Sequence, residues 1–189
     1  MSEIVGYGAS GGAVFSTCRR WRYALWRDFG PLRQPGEVGA SGYPLFIMLN
    51  PSTADASQDD PTIRRCIGYA KRWGYGGVTI CNLFAWRSPY PQELLGVADP
   101  VGDANDKQIL ENATQALQGS APIIAAWGDA GTGRLRTLIR TQAAHVATLL
   151  SLSSIQLQCL ATCDSGAPRH PLYLASDLEL RPWWPTETP

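Results

Sequence analysis

Net charge, lysine and long apolar runs are what this sequence has least of, and each shortage excludes something. Its 16 basic and 16 acidic side chains cancel, so the broad positive field of a nonspecific duplex binder is missing. Only two of the basic residues are lysines, Lys71 and Lys107; the rest are arginines, which grip phosphate and carboxylate through a planar fork. No apolar stretch reaches the roughly 20 residues of a membrane span, so no membrane partner is expected. The first residues, MSEIVGYGASGGAVFS, have neither the basic start nor the apolar middle of a secretory signal. Five cysteines (Cys18, Cys66, Cys81, Cys159 and Cys163) are an odd number in scattered places, which is cytosolic usage and not a disulfide framework. The chain is therefore expected to be cytoplasmic. No repeat, low-complexity tract or linker divides it. Its 189 residues, 44% hydrophobic, read as a single domain spanning 1–189, with glycine-rich residues 1–14 mobile and 185–189 a frayed tail.

What is present is an alternation of short apolar runs with helical patterns. Residues 44–49, 77–81, 122–127 and 155–160 are continuous apolar runs, as expected of strands buried on both faces. Helices are expected at about 60–73, 104–117 and 132–149, the first announced by Asp60-Pro61-Thr62 and stopped by Gly74. Ser16 to Phe29 interleaves arginines with aromatics and suits a sheet-edge strand or hairpin. The fold class is thus α/β, a three-layer α/β/α arrangement with a central, mostly parallel four-stranded sheet plus that N-terminal edge. In such sheets ligands bind beyond the carboxyl ends of the strands, so those are the places to search for function.

Four polar clusters lie there. The first runs from Asn50 through Ser52, Thr53 and Asp55 to Asp59 and Asp60; the second is Asn82 with Phe84, Trp86 and Arg87. The third is Trp127-Gly128-Asp129, and the fourth runs from Asp164 to Pro171 with Arg169 and His170. Each has a plain structural reading: the asparagines tie down turns, Asp59 and Asp60 cap a helix, and Trp127 belongs to the core. Of the two histidines, His145 sits among alanines and leucines in a helix. His170 stands in a loop stiffened by Pro168 and Pro171, which suits a side chain that must be aimed. Trp21, Trp26 and Trp73 are expected to be structural, and Trp86 to be the aromatic nearest the site.

Several chemistries find no support. Cys159, Cys163 and His170 lack a fourth ligand nearby, so no metal is expected, and no other cofactor. Glycines 6, 8, 11 and 12 follow no strand and open no helix, so they make no phosphate loop. There is no Gly-x-Ser-x-Gly elbow and no Cys–His nucleophile pair.

The strings LNPSTAD, DPTIRRC, WGYGGV, NLFAWR, AAWG and PRHPLYL together resemble a bacterial domain-of-unknown-function family. More distantly, Asn50-Pro51-Ser52 after a strand, and His170-Pro171 late in the chain, resemble the two motifs of the uracil-DNA glycosylase superfamily. Ser52 stands where that superfamily has Gly, and Leu172 where it has Ser. The resemblance implies a uracil-DNA glycosylase-like fold and a nucleobase-containing ligand, DNA or a nucleotide. On that reading the enzyme cuts an N-glycosidic bond. His170 would donate to the departing base, Asn50 would hold water or the base edge, and Asp60 or Asp55 would polarise the water. Asn82 would read the base, Trp86 or Phe84 would stack on it, and Arg64 and Arg169 would hold phosphate, with Ser52, Thr53 and Gly128 lining the site. The alternative is a module of the same fold that binds a nucleotide or modified base without chemistry.

Overall fold

The computed structural model describes residues 2–8, 10–30, 42–52 and 58–185. Eight strands form one mixed sheet: β1 (Ser2–Gly8), β2 (Gly11–Ser16), β3 (Arg22–Asp28), β4 (Leu45–Met48), β5 (Gly77–Asn82), β6 (Ile123–Ala125), β7 (Gln158–Cys159) and β8 (Arg181–Pro182), in the spatial order β1-β2-β3-β5-β4-β6-β7-β8. The four expected strands form its parallel centre, β5-β4-β6-β7, although the expected 155–160 strand shrinks to two residues. The sheet is larger than expected, because β1, β2 and β3 make an antiparallel meander on one side and β8 adds antiparallel to the other.

The difference at the N-terminus has a local cause. Ser16 to Phe29 is not one strand: Arg19, at φ 59°, closes a turn in which its N–H reaches the Ser16 carbonyl at 2.8 Å. The glycine-rich residues 1–14, expected to be mobile, contain β1 and most of β2. Gly11 is used for close approach, since a Cβ there would lie 2.5 Å from the Trp26 carbonyl oxygen.

Among the described residues three α-helices cover the sheet: α1 (Pro61–Arg72), α2 (Asn105–Gln118) and α3 (Gly133–Leu152). Alternation along β4 shows why its sequence is apolar throughout. Leu45 and Ile47 belong to the core shared with α2 and α3, while Phe46 and Met48 pack with Ile63, Tyr69 and Ala70 of α1. Among the described residues no helix is long and apolar enough to cross a membrane.

Two features of this layout prepare the site. The adjacent parallel strands β4 and β6 lead into helices on opposite faces of the sheet, α1 and α3, which opens a crevice between their carboxyl ends. In addition, α1 is tied to the chain that follows His170. Arg65 donates to the Leu174 carbonyl, Tyr69 to Ala175 at 2.6 Å, and Arg72 to the carbonyls of Ser176 and Asp177.

Candidate functional site

A cleft of about 510 Å³ occupies that crevice, within the usual size range of small-molecule sites. The loop after β4 supplies Leu49, Asn50 and Ser52, and the N-terminus of α1 supplies Asp60, Thr62 and Ile63. Asn82 ends β5, Trp127 to Ala130 follow β6, and His170, Leu172 and Tyr173 come from the late loop. Five of the residues singled out from the sequence thus meet here with Gly128: Asn50, Ser52, Asp60, Asn82 and His170.

Their hydrogen bonds separate scaffold from available chemistry. Asn50 donates its amide to the Ser88 carbonyl at 2.7 Å, so it ties the two lips beyond β4 and β5 together, and its Oδ1 has no partner among the described residues. Asp60 caps α1 by accepting from the Ile63 N–H at 2.9 Å through Oδ1. Asp59, instead of sharing the cap, pairs with the buried Arg27 at 2.7 Å. Asn82 is different. It is 1% exposed, and its side-chain nitrogen is buried with no hydrogen-bond partner among the described residues. Its backbone carbonyl is held by the Asn105 amide at 3.0 Å, which fixes the strand end beneath the cleft. A buried donor left unmade costs about 1–3 kcal/mol, and Asn82 combines that cost with a place in the cleft wall.

His170 is held in one state. The Leu172 N–H donates to its Nδ1 at 3.3 Å, which puts the proton of the neutral ring on Nε2. Its Cβ packs beside Gly128, which adopts φ 79°, and the Gly128 N–H donates to the Pro168 carbonyl at 2.9 Å. Burial holds the imidazole below its ordinary value of 6.5, against an opposing pull from Asp60. Because the folded value lies below the unfolded one, the unfolded chain takes up this proton first as pH falls. The contribution of His170 to stability is therefore full above about pH 6.5 and is lost as pH drops from there through the folded value. Unfolding free energies measured between about pH 8 and pH 5 should fall more steeply for the wild type than for His170→Gln; equal slopes would contradict the assignment.

Other expected site residues lie elsewhere. Phe84 is fully buried in the core shared with α2 and α3. Trp86 packs edge-on against Trp21 at 5.2 Å and takes no part in the cleft wall, so neither it nor Phe84 can stack on a ligand there. Arg64 is exposed and donates to the Asp59 carbonyl at 2.6 Å, and Arg169 is exposed with its backbone N–H on the Ala161 carbonyl; neither lines the cleft. Thr53 and Asp55 lie outside the described residues. The aromatics at the cleft are Trp127, mostly buried against Trp183 at 5.0 Å, and Tyr173, 83% exposed at the mouth.

Arg22 was not foreseen. It is 2% exposed in the cleft wall, its ionisation lowered to about 10 chiefly by burial, so it remains a cation at neutral pH. It reaches the site because β3 runs antiparallel to β5 and so presents its first residue, not its last, at this edge of the sheet.

The chain belongs to the family described as Protein of unknown function (DUF1643), whose model matches residues 22–172. That span begins at Arg22 and ends at Leu172, and so holds every cleft residue except Tyr173. No curated protein and no solved structure matches the chain.

Proposed function

Starting from membership of that family, we propose that the cleft receives a nucleobase and that the protein hydrolyses its N-glycosidic bond, in the manner of the uracil-DNA glycosylase superfamily whose motifs it resembles. The observation that supports this reading is the unsatisfied Asn82 amide buried at a cleft that the His170 ring also lines. Two fixed donors suit the carbonyl-rich edge of a base. In the reaction the C1′–N bond breaks and its electron pair goes to the base, while water oxygen bonds to C1′ and gives up a proton. His170 Nε2–H would donate to the base as negative charge builds on it. The second carboxylate oxygen of Asp60 would take the water proton or face the cationic sugar. The resemblance requires the Asn50 and His170 motifs to share one cleft, which they do.

A binding module is the second reading, favoured by the commitment of the Asn50 amide to Ser88 and of Asp60 Oδ1 to the helix cap. One experiment separates the two. The protein is incubated with single- and double-stranded oligonucleotides carrying uracil, hypoxanthine or the ordinary bases, and with free nucleosides and nucleotides. Base release is followed by chromatography, and melting temperature is recorded for each mixture. Release supports the hydrolase. A raised melting temperature without release supports the module, and neither effect from any of them rejects both.

A further inference from the structure

The hydrolysis gives no part to Asp129, although this residue lines the cleft. Its place follows from the chain. After β6 the backbone passes through the buried Trp127, and Gly128, at φ 79°, turns it at the crevice. A Cβ built on Gly128 would lie 3.4 Å from the His170 Cβ, so Asp129 comes one residue after the point where the two loops touch. Its carboxylate is gripped from outside the cleft. The Ser165 hydroxyl donates to Oδ2 at 2.7 Å and Arg136 Nε approaches Oδ1 at 3.4 Å, and neither residue lines the cleft. A carboxylate offers about four acceptor sites, so these two contacts fix its direction and leave it able to accept more. It accepts only, so whatever meets it must donate.

The charges around the cleft narrow the donor. Among the described residues its charged side chains are Arg22, Asp60 and Asp129, two carboxylates against one guanidinium. Arg64 and Arg169, the cations expected to hold phosphate, stand outside the wall. A phosphate beside Asp60 and Asp129 meets like charge, whereas an uncharged sugar hydroxyl does not. The independent mark of a ligand is Asn82, 1% exposed, whose partnerless amide belongs to the same cleft. We propose that the cleft takes a free ribonucleoside, with its base toward Asn82 and His170 and its two adjacent ribose hydroxyls donating to Asp129. This rests on the reading of the cleft as a nucleobase site and names its substrate class. A sugar inside a DNA strand has no free hydroxyl and one inside RNA has a single one, so neither offers the pair.

Calorimetric titration of the full chain compares adenosine, guanosine, inosine, cytidine and uridine with their 2′-deoxy and 5′-monophosphate forms, and with short single-stranded DNA and RNA. At least one ribonucleoside should bind about tenfold or more tightly than its 2′-deoxy form, as expected for one hydrogen bond to a charged acceptor. It should also bind more tightly than its own 5′-monophosphate. Asp129→Asn should weaken that ribonucleoside roughly tenfold and bring the ratio between the two sugars close to one. A purely structural Asp129 would instead weaken both sugars equally and keep the ratio. Should Asp129→Asn fail to fold, the wild-type ratios decide alone. Equal affinity for the two sugars, or an unchanged ratio in Asp129→Asn, overturns the ribose contact and leaves the nucleobase reading standing. So does tighter binding of a monophosphate or an oligonucleotide, or base release from oligonucleotides alone. No binding by any of these ligands, with no base release, removes the nucleobase reading and this inference together.

Discussion

Asn82→Leu should abolish ligand capture in the cleft while making the free protein no less stable. The Asn82 amide is buried without a partner, so leucine, of similar size, removes a polar group that folding leaves unsatisfied. Relief of that penalty is worth about 1 kcal/mol, or a rise of roughly 2–4 °C in melting temperature for a chain of this length. Base release should fall by about 10²–10³, the usual loss for one fixed donor at a developing negative charge. Its neighbour Asn105 provides the contrast. Its amide holds the carbonyls of Asn82 and Leu83 at 3.0 and 3.1 Å, so Asn105→Ala should lower the melting temperature by orphaning them. Were Asn82→Leu to melt several degrees lower and keep its ligand response, Asn82 would be scaffold and the functional reading would lose its main support.

His170→Ala should cost a similar 10²–10³ in base release, with a small change in melting temperature. The alanine removes both the Nε2 donor and the Nδ1 acceptor that receives the Leu172 N–H. His170→Gln keeps a neutral donor on a chain of comparable reach and should recover part of the activity, perceptibly more than alanine does. It should also remain active at pH values low enough to protonate the wild-type ring. Identical turnover in the alanine variant and the wild type would remove His170 from the chemistry.

The parallel centre of the sheet was legible because LFIM leads into a helix, VTIC and IIA lie between helices, and strands buried on both faces read as such continuous apolar runs. The meeting of Asn50, Asn82 and His170 followed from the same rule, since Asn50 follows β4, Asn82 ends β5 and His170 stands in the loop that leaves β7. The rule also marks where the reading failed. Arg22 begins an antiparallel strand, so a search confined to strand ends passes over it. Phe84 and Trp86 follow Asn82 closely in sequence, but Leu83, Phe84 and Ala85 are fully buried, which carries the chain into the core before Trp86 meets Trp21. The Asn50 amide holds the Ser88 carbonyl, in keeping with the expectation that the asparagines tie down turns, so an alanine there should lower stability as well as function.

The tethering of α1 to residues 174–177 bears on how the protein meets its ligand. The segment carrying His170 is fastened on one side through the Gly128 and Arg169 amides and on the other through Arg65, Tyr69 and Arg72. The entropy of ordering that segment is spent during folding, before any ligand arrives. Preorganisation of this kind leaves more of the contact energy for affinity, and it favours a rigid, lock-and-key encounter on the histidine side of the cleft.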